Sequence, residues 1–456
     1  VPGKATAARK GADGQPDKKR IVVLGGGFAG VYAALDLERA FGRDESVQLT
    51  LVNRDNFFLF TPMLHEVAAS DLDITHIVSP IRKLLKRTDF FHGECLSIDL
   101  QGRTVKVAHG ESAEHPHILP YDHLVLALGG VTNFFGTPGV DGAAYTMRSL
   151  GDALAIRNRV IECMEEADFE CQAKIRRPLL TIVVAGGGFA GVETVAALHD
   201  FAIEALPFYR NLLPDQVRTV LVHAGDVILP ELSRKLGLYA QKKLAARGVE
   251  IRLGTKVKAL DKTGVELADG TRIASRTLVW TAGNAAHPLL QSLECPKERG
   301  RICVDGHLRV PGHEGLWALG DCALVPDPKG GFYPQTAQHA LRQGRVLARN
   351  IVAAMRGGKP KPFRFKALGQ LAAIGRRTGV ANILGFNFSG FLAWWLWRTI
   401  YLMKLPRFER KVRVALDWTL DLVFSKDLVH LPTARGNAVR GAPAAPALAS
   451  AEKALG

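Results

Sequence analysis

At 456 residues, 47% of them hydrophobic, the chain is long enough for about three domains with buried cores, which excludes a wholly disordered or fibrous protein. Its formal charge of +15 calls for an acidic partner: nucleic acid, anionic lipid or a phosphorylated small molecule. No helix-turn-helix signature, RNP-like aromatic strand or zinc-finger spacing accompanies the charge, so nucleic acid is set aside; six scattered cysteines without a C-x-x-C pair exclude a disulfide scaffold and a zinc site and fit a reducing compartment.

Residues 1–19 are polar and basic, lack the apolar core of a signal peptide, and read as a disordered tail. The apolar run Ile21-Val22-Val23-Leu24 then meets GGGFAG at Gly25 to Gly30 and an alanine-rich helical pattern, the strand-turn-helix context in which G-x-G-x-x-G carries meaning. Gly25 allows the tight turn, Gly27 lets backbone approach a pyrophosphate, and Gly30 lets helix pack on strand; Phe28 and Ala29 open the helix whose N-terminus takes the phosphates. The next strand, Gln48 to Val52, ends at Asn53-Arg54, where such a unit usually places Asp or Glu against a ribose; Asn53 can hydrogen-bond there without the charge. A strand-rich excursion leads to His123–Leu128 and to Gly129-Gly130, whose missing side chains suit a closely packed cofactor. His109, His115, His117 and His123 find no acid or cysteine at useful spacing and read as a solvated hairpin, so no metal site is expected.

The motif recurs after Thr181-Ile182-Val183-Val184, as Gly186, Gly188 and Gly191 around Phe189 and Ala190, and its ribose position is His223. This second unit closes at Thr277 to Gly283. A further strand from Leu316 reaches Gly320-Asp321, and a helix follows from about Thr336 to Met355. The order predicts an α/β fold of two Rossmann-like domains, the second inserted in the first: 20–150 and 286–362 for one dinucleotide, 151–285 for the other. A flavin beside a nicotinamide is the usual reason for two such sites. The C-terminal region, 363–432, carries four of the six tryptophans, and residues 433–456 form an Ala/Pro/Gly tail. Phe386 to Leu405 is apolar but interrupted by Arg398 and Lys404, too short and charged to cross a bilayer. After Pro406, Phe408, Val412, Leu416, Leu420 and Phe424 recur at helical spacing opposite Arg410, Arg413, Asp417 and Asp421. The expectation is two amphipathic helices lying on a membrane surface, with packing on the protein's own body or on a twin subunit as the alternative.

The two glycine motifs, Gly129, Gly320-Asp321 and Thr336-Ala337-Gln338-His339-Ala340 resemble the two-dinucleotide flavoproteins and, within them, the type II NADH dehydrogenases, over about Arg20 to Leu431. The resemblance implies FAD at the first site, NADH at the second and a membrane quinone as acceptor. It implies Asp321 on the FAD ribitol, with Gly320 before it, and the helix opening at Ala337 aimed at the flavin. Gln338 matches the first glutamine of the A-Q-x-A-x-Q quinone motif, but Arg342 stands where the second belongs. Glu193 matches a G-V-E element beside the nicotinamide, where positioning rather than proton transfer is expected; Gly283 closes that site. His223 replaces the glutamate of many relatives, so NADH use with weakened discrimination against NADPH is expected. Residues 31–66 contain no cysteine, which excludes an exit through a dithiol there. The expected activity is non-electrogenic NADH:quinone oxidoreduction by a peripheral protein on the cytoplasmic face of the cell membrane, with quinone and anionic lipid as partners and a homodimer as a further assembly. The rival readings are a flavoprotein NADH sensor and a reductase of a soluble electron-transfer protein.

Overall fold

A computed structural model describes residues 18–109 and 115–431. Of the two expected disordered tails, 433–456 lies outside these residues, and only Lys18 and Lys19 of the first lie within them; Lys19 already opens a strand. The chain divides into two compact units. Of the described residues, one holds those up to Leu59 together with those in Val78–Asn133 and Asn284–Leu368; the other holds Phe60–Ile77, Phe134–Gly283 and those from Gly369 to Leu431.

The first unit is built on five parallel strands, in the order Leu316–Ala318, His123–Leu126, Lys19–Leu24, Val47–Asn53, Asp89–His92. Counting along the chain this is 3-2-1-4-5 read from the far edge, the doubly wound order in which a ligand crevice opens where the first strand meets the fourth. The central strands are continuous apolar runs because both faces are covered: Ile21, Val23, Leu24, Leu124, Val125 and Leu126 are fully buried. The helices Phe28–Phe41 and Ala337–Arg356 pack together. They come close at Gly344, where any side chain would press on the Ala29 carbonyl and the Ala33 amide.

The second unit repeats the plan with Tyr145–Thr146, Thr277–Trp280, Thr181–Ala185, Arg218–Val222 and Val249–Arg252, all parallel. Each unit also carries a three-stranded antiparallel sheet between two of its main strands in chain order: Glu94–Asp99, Thr104–Ala108 and His117–Pro120 between the third and fourth in the first, Val257–Asp261, Gly264–Leu267 and Arg272–Ile273 between the fourth and fifth in the second.

The divisions differ from the expected ones in three ways. The first boundary falls at Asn133, not 150, and the second unit is left at Gly283 rather than 285. Residues 60–77 join the second unit because the short helix Leu64–Ala68 packs on the helices Leu150–Phe169 and Phe189–Ala205. The C-terminal region begins at Gly369 rather than 363 and belongs to that same unit, its first strand Gly369–Ala373 lying against the Phe189–Ala205 helix.

Within the C-terminal region, the apolar stretch from Phe386 is not one helix. Phe386–Gly390 pairs as the edge strand of a hairpin sheet with Gly379–Ile383, and the helix Phe391–Lys404 starts only after Gly390, whose φ of +74° turns the chain. The following helix, Phe408–Leu420, buries Arg410, Val414 and Trp418 and leaves the expected apolar stripe outside: Phe408 is 80% exposed and Leu416 55%. The first helix likewise buries Ala393 and Trp397 while exposing Phe391, Leu392, Trp395 and Met403.

Candidate active site

In the first unit the strand Lys19–Leu24 runs into Gly25, whose φ of +108° makes the turn beneath the Ala127 carbonyl. Gly27, at the N-terminus of the helix Phe28–Phe41, faces open space, so backbone there can meet a ligand directly. Asn53 braces this turn: its Oδ1 accepts from the Gly26 N–H at 2.7 Å, and its Nδ2 donates to the Asp55 carbonyl at 2.7 Å. One amide hydrogen and one lone pair remain for a ribose. Arg54 beside it is largely exposed, 3.9 Å from Asp55. Gly129, φ +69°, also borders open space.

Asp321 is held on a polar lattice. Asn284 Nδ2 donates to its Oδ2 and to Gln335 Oε1, both at 3.1 Å, and Gln335 Nε2 donates to its backbone carbonyl at 3.2 Å. The Gly320 N–H donates to the buried Gln343 side chain at 2.8 Å. Gln343 therefore fixes the loop that carries Asp321. On the same helix, which begins at Ala337, Arg342 donates to the Gln338 carbonyl at 2.8 Å and lies 4.1 Å over the Phe365 ring. Gln338 and Arg342 thus share a face, as the spacing predicts, but the guanidinium is spent on its own helix and on an aromatic face.

The second motif has the same construction. Gly186, φ +117°, turns against Thr281; Gly191 packs on the Gly186 carbonyl; Phe189 and Ala190 open the helix. The Gly187 N–H donates to Nδ1 of His223 at 3.1 Å, which leaves the ring hydrogen of a neutral imidazole on Nε2, beside Gly225. Gly283, φ +76°, ends the strand segment facing this turn. The carboxylate of Glu231 is 3.3 Å from the point where a side chain on Gly188 would begin.

Glu193 sits one turn into the helix Phe189–Ala205 and is buried. Its Oε1 accepts from the Trp397 indole at 2.9 Å and from the Ala373 N–H at 3.1 Å, while His65 Nδ1 lies 3.8 Å from Oε2. Burial pushes its carboxyl up to about 8, against the pull of those two donors, and Glu66 nearby raises it further. Glu66 has a matching environment. It accepts from the Trp418 indole at 3.1 Å, and burial carries it to about 8 although Arg398 opposes the shift. Burial also drops His65 to about 3, so that imidazole is neutral.

Comparison with known proteins follows the same lines. Residues 19–344 match the pyridine nucleotide-disulphide oxidoreductase family, and residues 368–427 match the NDH2 C-terminal domain. A probable NADH dehydrogenase of Dictyostelium discoideum is 33% identical over 419 residues, covering 90% of this chain and 91% of that protein. The type II NADH:quinone oxidoreductase Ndh of Mycobacterium tuberculosis is 32% identical over 427 residues, covering 90% and 89%. The chain belongs to the type II NADH:quinone oxidoreductases. The fold agrees: a structure of NDH2 from Plasmodium falciparum in complex with NADH superposes with a TM-score of 0.84 at 20% identity, over 90% of this chain and 100% of that one.

A type II NADH:quinone oxidoreductase takes hydride from NADH through FAD and delivers two electrons to quinone, and the chain is an enzyme of that kind. FAD when bound supplies the redox chemistry; the protein supplies binding, orientation and electrostatics. The open backbone at Gly27 and Gly129 and the held carboxylate of Asp321 fit a pyrophosphate, a ring edge and a sugar chain. Sequence reasoning missed the groups that brace these residues. Gln343 was visible beside Arg342 in the motif, but its burial was not. Trp397, Trp418, His65 and Glu66 carry no local signal, since each meets its partner across a long chain separation.

Proposed function

We propose that the enzyme works as a peripheral protein on an anionic membrane surface at the cytoplasmic side, reducing a lipid-dissolved quinone without moving charge across the bilayer. The observation that carries this reading is the outward apolar stripe of the Phe408–Leu420 helix beside the exposed Phe391, Leu392 and Trp395. An apolar face of this kind on a chain of charge +15 suits the headgroup boundary of acidic lipid. Among the described residues no helix is long and apolar enough to cross a membrane.

In this reading Gly25, Gly27, Gly30, Asn53 and Asp321 hold FAD, and Gly186, Gly188, Gly191 and His223 hold the NADH dinucleotide. His223 offers a donor where a carboxylate would repel a 2′-phosphate, so NADPH is accepted at reduced preference. Gln338 presents its amide to the quinone, and Arg342 supplies a fixed positive charge on the same helix face. Glu193, poised near neutral pH, holds a proton for the quinone half of the reaction; this replaces the positioning role expected from its place in the G-V-E element.

The test is anaerobic. NADH should bleach the flavin of the purified protein, and a quinone analogue in anionic vesicles should restore its absorbance within a turnover. Reoxidation as fast in lipid-free buffer, with no binding to the vesicles, would refute the membrane assignment.

A further inference from the structure

The loop that follows the second ribose position is folded back on the glycine turn. Its backbone is pinned in two places: the His223 N–H donates to the Arg252 carbonyl at 2.8 Å, and the Leu229 N–H donates to the Gly187 carbonyl at 2.7 Å. Leu229 sits at φ +53°, a left-handed conformation that this bond and its fully buried side chain hold in place. The loop ends at Ser233, and Arg234 opens the helix Arg234–Ala246. Along the sequence no arginine follows His223 directly. In space the bend returns one, and the Arg234 guanidinium pairs with Asp226. The same loop sets Glu231 beside Gly188, so it borders the site from the glycine turn to the ribose end.

Stability does not account for this pair. Its side chains are largely exposed, 64% for Arg234 and 72% for Asp226, and an exposed ion pair adds little. A cation on the first residue of a helix also opposes the helix dipole, so Arg234 does its own helix no service. Position accounts for it better. His223 Nε2 is 2.8 Å from where a side chain on Gly225 would begin, which places the imidazole against the residue before Asp226. The Asp226 carboxyl is held below its ordinary value chiefly by Arg234, and His223 adds to the effect. The strand end that lacks a carboxylate of its own therefore has an anion close by, already bound to a cation.

Resting on the functional reading above, which puts the adenosine ribose of the donor at His223, we propose that Arg234 and Asp226 together set the choice between NADPH and NADH: the arginine is the seat of the 2′-phosphate and the aspartate is its resident competitor. A guanidinium presents a planar fork of N–H donors that suits a phosphate at least as well as a carboxylate. With NADPH the fork turns from Asp226 to the phosphate, and the freed carboxylate repels the charge it faces. With NADH there is no such phosphate; the pair stays closed and the ribose hydroxyl is left to His223. Discrimination is then graded rather than absolute, and because both charges are exposed it weakens as salt rises.

The first measurement needs no electron transfer. The oxidised holoenzyme is titrated calorimetrically with 2′,5′-ADP, which carries the 2′-phosphate, with 5′-ADP, which lacks it, and with inorganic phosphate. Arg234→Gln should cut the ratio of 2′,5′-ADP to 5′-ADP affinity by about tenfold, the order expected of hydrogen bonds to a charged group. Asp226→Asn should raise the same ratio severalfold. General damage to the loop cannot move the ratio in both directions, and either variant carries the test if the other does not fold. The second measurement is stopped-flow. The NADPH concentration that gives half the limiting rate of flavin reduction, taken relative to that for NADH, should rise in Arg234→Gln and fall in Asp226→Asn. Equal shifts for the two nucleotides, an unchanged ratio, or a loss in Arg234→Gln confined to inorganic phosphate would overturn the proposal. If the ratios move as expected while NADH fails to reduce the parent flavin, the redox reading falls and the phosphate seat stands.

Discussion

Replacing Trp397 by Phe removes one hydrogen-bond donor from Glu193 and part of a fully buried ring, while keeping an aromatic side chain in place. The Phe ring keeps an aromatic neighbour for His65 and Tyr401, whose rings lie 5.5 and 4.8 Å from that of Trp397. The indole N–H favours the charged carboxylate, so losing it disfavours ionisation and the Glu193 midpoint must rise. A hydrogen bond to a charged group contributes about 1.5–3 kcal/mol, and one pKa unit corresponds to about 1.4 kcal/mol, so the midpoint should climb from about 8 by about one to two units. An infrared titration of the carboxyl band reads this directly. The alkaline limb of the quinone step should move with it, while flavin reduction by NADH stays in place. Trp418→Phe is the matched control, since it strips the same donor from Glu66. A Glu193 midpoint that stays or falls in Trp397→Phe would show that the indole does not set the charge of this carboxyl.

The raised carboxyls also make a stability prediction. Glu66 and Glu193 both sit at about 8 in the folded protein against an ordinary 4.5, so the folded state holds the extra protons between those values. Their contribution is complete below 4.5 and is lost as pH rises through about 8; Glu66→Gln should flatten the decline of melting temperature over that window, and parallel curves for variant and parent would refute it. His223→Glu should restore charge repulsion at the second ribose and cut flavin reduction by NADPH far more than by NADH; an unchanged ratio of the two rates would remove His223 from donor selection. Leu416→Glu withdraws one large side chain from the proposed lipid face, whose burial is worth about 1.5–3 kcal/mol, so affinity for anionic vesicles should fall by about tenfold or more; unaltered co-sedimentation would reassign that face to another partner.

Both glycine motifs were readable because their chemistry is local. Three glycines, a preceding apolar strand and a following helix lie within one short window, and each glycine answers a backbone constraint found in place, such as the positive φ of Gly25 and Gly186. Asn53 and His223 were legible in position but not in duty. Each accepts an N–H from its own glycine turn, a contact that depends on how the strand end curls back and leaves no periodic trace. Arg342 stood out as a departure, yet only its stacking on Phe365 shows where its charge rests.

The C-terminal helices show why a repeating pattern underdetermines a face. Periodicity separates Phe408, Val412 and Leu416 from Arg410, Val414 and Trp418, but it does not say which set the protein keeps. The inward set is chosen by Trp418 and Trp397, which combine a large apolar body with one donor, and each finds a buried acid that needs that donor. Once the indoles are committed inward, the aliphatic residues have no protein to cover them. The same two bonds that satisfy Glu66 and Glu193 therefore orient both helices and turn their apolar stripes outward. The satisfaction of two buried acids and the exposure of two apolar stripes are, in this chain, two consequences of one pair of tryptophans.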